Sequence, residues 1–373
     1  MNTLKKFDCF AVGLAIFAMF FGAGNIIFPL ALGQIALDKT PWGLSGLLLT
    51  AVVMPFMGLL AMLRYKGKIR SFFSRLGNIP GLIIASLIIF LLGPLGAAPR
   101  CLALAHSTLS LSIPRIPLIL FSAIACIFIF LFTYRENNLL KLLGYILSPL
   151  KITLLVLVII KGLIEAPETA LISTNLSLIS HFWNGLVEGY NTMDLLAAFF
   201  FAPIVISSIG SSGKDENLNR FVLISSAIGA FLLAMVYVGF CYLAYLYAPQ
   251  LEGIPNEQLL GAVAIKILGP YAGLVASLIV TFACLTTAIA LIAAFASFME
   301  KEVLKEKVGY IPILIVSLLL TFVVTTLEFQ GIARLLNPVL EICYPALILL
   351  TFYNFLMPIP LDKTSQTNQL KEI

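Results

Sequence analysis

FGAGNIIFP, residues 21–29, lies inside an apolar run that extends from Phe7 to Ala36. A membrane-spanning helix needs roughly 20 mostly apolar residues, and this run is long enough. Its middle nevertheless carries Gly22, Gly24, Asn25 and Pro29. Gly22 and Gly24 have no Cβ, so the backbone can unwind there and a ligand can approach closely. Amides and carbonyls freed at membrane depth are tolerated only where they line a cavity or bind something. The stretch therefore predicts two half-helices meeting at Gly22, Ala23, Gly24 and Asn25. The half-helix beginning near Asn25 aims its N-terminal amides at the gap, which suits a carboxylate. The carbonyls ending the preceding half-helix, near Ala18 to Phe21, suit a cation. The plainer alternative is that the glycines only let two helices pack.

The rest of the chain sets the class. Of 373 residues, 60% are hydrophobic and 11% charged, whereas soluble domains are about half apolar and a quarter charged. The bilayer must therefore be the solvent. Ten apolar segments run near 7–36, 42–63, 80–106, 114–133, 139–163, 183–209, 219–248, 262–299, 309–327 and 333–357. They do not alternate in polarity as barrel strands do, so they are expected to be helices. One domain, 1–373, is read, with no linker long enough to divide it. Most of the 23 cations collect on one side, in Arg64–Arg75, Lys301–Lys307 and at Lys5, Lys6, Arg135, Lys214, Lys363 and Lys371. That side is expected to be cytoplasmic, with both chain ends inside, which an even number of spans requires. Cations so few and scattered exclude a nucleic-acid surface. The six cysteines have no metal-site or redox spacing. No GxSxG, HExxH, Walker or dinucleotide-binding pattern occurs, so no enzyme and no cofactor is expected.

Segment 6 is broken like segment 1. Glu188, Gly189, Tyr190, Asn191, Thr192 and Asp194 precede a fully apolar stretch that contains Pro203. With five segments to a half, the two broken ones hold corresponding places, the strongest sequence pointer to a transporter site. The halves, about 7–163 and 183–357, then form an inverted repeat. Alternatively, segment 6 begins later and Glu188 and Asp194 lie at the water boundary. In segment 8, Thr286 and Thr287 sit deep in an apolar helix with Ala283 one turn earlier. Facing the carbonyls of segment 1, they offer an all-oxygen cage for a hard cation. Otherwise each hydroxyl simply bonds back along its own helix. Segment 3 reads GPLGAAPR over 93–100, which predicts a kink. Its Arg100 either pairs with Glu188 or Asp194, closes a gate, or snorkels to the interface.

Taken together, FGAGNIIFP (21–29), GPLGAAPR (93–100), GYNTMDLLAA (189–198) and ACLTTAIAL (283–291) resemble the bacterial branched-chain amino acid:cation symporters, the BrnQ-like carriers. The resemblance runs from about residue 7 to 357. It implies a LeuT-like fold of five plus five helices and Na⁺-coupled import of leucine, isoleucine and valine by alternating access. The setting would be a bacterial cytoplasmic membrane. Substrate would meet Gly22, Ala23, Gly24, Asn25, Gly189, Tyr190, Asn191 and Thr192, and Na⁺ would meet Ala18, Phe21, Ala283, Thr286 and Thr287. The implied partners are the amino acid and membrane lipid; oligomeric state is not assigned. Two rivals stand beside this reading. One is a proton-coupled carrier of another small neutral amino acid, using Asp194 or Glu188. The other is a channel or non-transporting receptor, for which the polar rings of a pore are absent.

Overall fold

A computed structural model describes residues 3–134, 139–167, 174–209 and 215–357. Arg135, Lys214, Lys363 and Lys371, used above for orientation, lie outside the described residues. All regular structure in the described residues is helical. The run around FGAGNIIFP forms α1 (Thr3–Phe20) and α2 (Gly24–Ala36), parted by three non-helical residues. The chain then turns back. Leu37 has φ 47°, which no helix interior adopts. α3 (Thr40–Leu48) returns beside α2 and continues through a π-type turn (Leu49–Val53) into α4 (Met54–Arg64). Gly24–Arg64 is thus helical over 41 residues without being one rod; a straight helix of that length would reach about 60 Å, twice the bilayer core.

A short α5 (Ile69–Phe73) leads into α6 (Asn78–Leu92) and α7 (Ala97–Ser110). The kink expected from GPLGAAPR is a full interruption. A Cβ on Gly96 would lie 2.1 Å from the Leu91 carbonyl oxygen, so the turn between α6 and α7 closes only over glycine. α8 (Leu118–Thr133) and α9 (Leu139–Ile164) follow, then α10 (Leu178–Asn191) and α11 (Asp194–Ile209). The remainder is α12 (Asp215–Leu246), α13 (Leu259–Leu268), α14 (Pro270–Phe298), α15 (Tyr310–Thr325) and α16 (Glu328–Leu356). Here the expected span 262–299 is corrected. Gly269, at φ 82° and followed by Pro270, splits it into the ten-residue α13, too short to cross, and the long α14.

Among the described residues, six stretches are long and apolar enough to cross a membrane: 24–64, 78–110, 178–206, 220–246, 273–303 and 328–356. Four shorter apolar helices accompany them, Cys9–Phe20, Leu118–Thr133, Ile152–Ile164 and Tyr310–Thr325. Polarity is distributed inside out. Ile83, Leu131, Phe231 and Leu349 are exposed, whereas Asn25, Arg100 and Asp194 are buried. Exposed aliphatics suit lipid, and charges turned inward at membrane depth mark a functional interior.

Close backbone packing against α3 fixes α10, the first half of the second broken pair. A Cβ on Gly185 of α10 would sit 1.9 Å from the Gly43 carbonyl oxygen of α3, and one on Gly46 2.3 Å from the Phe182 carbonyl oxygen. Thr50 then donates across the seam to the Leu186 carbonyl at 3.0 Å. Small residues at such a seam let van der Waals packing replace the hydrophobic drive that lipid cannot supply.

Candidate functional site

The first break spans Phe21, Gly22 and Ala23. The Gly22 amide donates to Asn25 Oδ1 at 2.9 Å rather than back to Ala18, which frees the Ala18 carbonyl from its helical partner. Asn25, in the first turn of α2, thereby satisfies the amide left over at the break, while the start of α2 itself carries no side-chain cap. The second break lies at Thr192 and Met193, starting three residues later and ending one residue later than the expected unwinding at Gly189–Thr192, which shares Thr192 with it. Met193 takes the turn at φ 64°. Thr192 Oγ1 holds the join, donating to the Gly189 carbonyl at 2.8 Å and accepting the Asp194 amide at 3.4 Å.

Gly189 and Tyr190 therefore end α10 in helical form, and neither opens on the gap. Gly189 is a packing residue, since a Cβ there would lie 1.9 Å from Thr50 Oγ1. Tyr190 stacks on Tyr344 with ring centres 4.7 Å apart.

The two breaks are joined. Asn25 Nδ2 donates to Asp194 Oδ2 at 2.6 Å and also to the Tyr237 hydroxyl. That hydroxyl donates in turn to Asp194 Oδ2 at 2.9 Å. All three residues are buried. Asp194 stands on the first turn of α11, where the helix dipole favours a carboxylate. Gly24 is the contact point of the two backbones: a Cβ on it would meet Thr192 Cα at 3.0 Å and Thr192 O at 3.2 Å.

One cavity collects these groups, with about 420 Å³ of non-atom space counted out to its mouth. Gly22, Ala23, Gly24 and Asn25 line it from the first break, Asn191, Thr192 and Asp194 from the second, and Arg100 and Thr287 from α7 and α14. Its apolar wall is built from Met19, Phe20, Leu92, Ala197, Phe201 and Leu291. Arg100, wholly buried, donates Nη1 to the Asn191 carbonyl at 2.9 Å. Its guanidinium carbon lies 5.6 Å from the Phe28 ring and 5.7 Å from the Phe329 ring. Glu188 stays off the cavity wall and accepts from Asn191 Nδ2 at 3.4 Å. Arg100 is therefore no interfacial residue, and neither Glu188 nor Asp194 is ion-paired to it among the described residues.

At the expected cation site, Thr286 and Thr287 both donate to the Ala283 carbonyl, at 2.9 and 3.0 Å. The backward bonding weighed in the sequence thus occurs. It also gathers three oxygens at one turn, beside the first break: a Cβ on Gly22 would lie 3.4 Å from Thr287 Cγ2. Each hydroxyl oxygen keeps lone pairs while donating. Phe21 itself is buried against Phe17. Tyr237 and Tyr344 were not singled out in the sequence. Nothing near Tyr237 separates it from Tyr242 or Tyr245 on the same helix; only its meeting with Asn25 and Asp194 does.

Broken helices buried around a polar cavity, under an apolar exterior, define a multi-pass membrane transporter. Solved structures agree on the fold. The chain is similar to Mhp1 in its inward-facing conformation, with a TM-score of 0.63 and 16% identity over 93% of this chain and 76% of that one. It is also similar to a substrate-bound, outward-open Na⁺-coupled sialic acid symporter, with a TM-score of 0.58 and 11% identity over 94% and 79%. The fold is LeuT-like. The chain matches the family described as branched-chain amino acid transport protein over residues 5–369, and it belongs to that family. Among its relatives are the branched-chain amino acid permease BrnQ of Bacillus subtilis, 31% identical over 95% of this chain and 82% of that one, and BrnQ of Escherichia coli, 27% identical over 95% and 81%.

Proposed function

We propose that this chain is a secondary carrier importing leucine, isoleucine and valine with Na⁺ across a bacterial cytoplasmic membrane, by alternating access. The observation that carries the reading is that both helix breaks open on one cavity lined by their polar groups and by an apolar wall. Ten spans in two inverted halves, about 7–163 and 183–357, frame it, with the chain ends cytoplasmic. The wall of Met19, Phe20, Leu92, Ala197, Phe201 and Leu291 suits a branched aliphatic side chain. Gly22–Asn25 supply backbone polar groups, and Asn191–Thr192 backbone and side-chain ones, to the substrate. Gly189 and Tyr190 support that site from behind. The carbonyls of Ala18, Phe21 and Ala283 with the hydroxyls of Thr286 and Thr287 are the proposed Na⁺ ligands. Coupling requires the ion to bind one conformation better than the other. A cation bound between α1 and α14 does so only while those helices stay together.

Uptake of radiolabelled leucine into proteoliposomes tests this. Saturable uptake should be competed by isoleucine and valine and should fall when Na⁺ is replaced by K⁺. Thr287→Ala should blunt Na⁺ activation by about tenfold without loss of protein, as expected for one lost ligand near 1.4 kcal/mol. Undiminished uptake without Na⁺ that follows a pH gradient would assign the coupling to protons instead.

A further inference from the structure

Two buried groups of opposite formal charge line the cavity, and neither is in a contact ion pair among the described residues, although the Glu188 carboxylate acts on Arg100 through space. Among the described residues the ion pairs are Asp38–Lys39 and Lys161–Glu165, so Arg100 and Asp194 have none. Arg100 uses only Nη1, on the Asn191 carbonyl; its Nε and Nη2 are buried without a partner. Those two nitrogens form the edge of a guanidinium whose N–H bonds run parallel, the edge that takes a carboxylate with two hydrogen bonds. Asp194 accepts from Asn25 and Tyr237 at Oδ2, and the Thr192 hydroxyl also bonds its carboxylate, which leaves lone pairs for a further donor. Buried charges are costly unless paired, and truncating a partner leaves that cost exposed. An α-amino acid carries the two missing partners on one carbon, and its own net charge is zero.

We propose that the Nε–Nη2 edge of Arg100 receives the α-carboxylate of the substrate and that Asp194 receives its α-ammonium. This rests on the reading of the chain as an amino-acid carrier and names the groups that recognise the cargo. The first amides of α2 add to the carboxylate's surroundings, while Asn25 and Tyr237 are positioning residues that hold Asp194 at the gap. Glu188 is hydrogen-bonded by Asn191, acts on Arg100 only through space and stays off the cavity wall, so it serves neither pole.

Competition against labelled leucine on the purified full-length carrier tests the assignment, with leucine, 3-methylbutylamine (no carboxylate) and 4-methylpentanoate (no amine) as competitors. The wild type should favour leucine strongly over both. Arg100→Gln should weaken leucine by about 100-fold, the usual scale for losing one partner of a buried charged pair, yet leave 3-methylbutylamine unchanged. Asp194→Asn should weaken leucine similarly and leave 4-methylpentanoate unchanged. Arg100→Lys and Asp194→Glu should recover part of the affinity, which a mere folding defect would not predict. Leucine binding within threefold of wild type in Arg100→Gln would overturn the proposal. So would an Asp194→Asn variant that keeps leucine affinity but loses the pH dependence of uptake, since Asp194 would then be a proton site. A wild type that binds other α-amino acids but not leucine, isoleucine or valine would overturn the substrate reading alone, and the same variants would be run with the amino acid that binds. Binding of no α-amino acid would overturn both.

Discussion

Asn25 uses both ends of its amide: Oδ1 holds the Gly22 amide and Nδ2 reaches Asp194 and Tyr237. One side chain thus shapes its own break and ties it to the other, 169 residues away in sequence. The two glycines beside it do different work. Gly24 touches the backbone of Thr192, which cannot yield, whereas Gly22 faces Thr287 Cγ2 at an ordinary 3.4 Å. Gly24→Ala should therefore push the breaks apart at about 1–3 kcal/mol, the usual cost of overpacking. Leucine affinity should drop at least tenfold in Gly24→Ala and change by less than threefold in Gly22→Ala, measured by saturation binding. The first break was legible because glycine and asparagine in an apolar run have no lipid-facing use. Tyr237 was not, because an aromatic in a membrane helix is ordinary until its neighbours are known. Arg100 was legible as a charge in a span, but whether it was paired, free or interfacial depends on a third dimension that the run GPLGAAPR does not carry.

At the scale of elements, the segment boundaries followed from hydropathy, and most helices begin and end within a few residues of the apolar segments expected. Two departures have local causes. Gly269 and Pro270 cut the expected eighth span into α13 and α14, because an apolar count does not register a turn made of apolar residues. The second break falls at Thr192 and Met193 rather than around Gly189, because Gly189 is needed for packing on Thr50. A glycine in a membrane helix serves either unwinding or close approach, and sequence alone does not separate them. The α3–α10 seam gives a direct test. Gly185→Ala places a methyl 1.9 Å from the Gly43 oxygen. It should lower the melting temperature of the purified carrier and its yield in the membrane more than Gly24→Ala does, as read by thermal-shift fluorescence and gel filtration.

For the whole molecule, the cavity is lopsided. Its apolar wall comes from the end of α1, the end of α6, and the stretches of α11 and α14 that lead away from the breaks. α1 starts in and α6 follows a cation-bearing stretch of the chain, and α14 leads to another at Lys301–Lys307, whereas Arg100 packs with Phe28 and Phe329. If the side that carries these cations is cytoplasmic, Lys307→Cys should react with a membrane-impermeant maleimide only in opened vesicles, while Tyr271→Cys, at a position 90% exposed, should react in intact cells. Labelling in the reverse pattern would invert the orientation.

The seam between α3 and α10 sets how such a molecule can move. Where carbonyls of one helix rest on glycine Cα atoms of the other, no side chain lies between them to act as a bearing, so neither sliding nor rolling is cheap. Any rocking that exposes the opposite mouth of the cavity must carry the two helices as a single lever, with α2 folded back on it at Leu37. The bending is then left to the unwound residues on either side of Gly24 and Thr192, so the residues proposed to hold the cargo are also the joints on which such a lever turns.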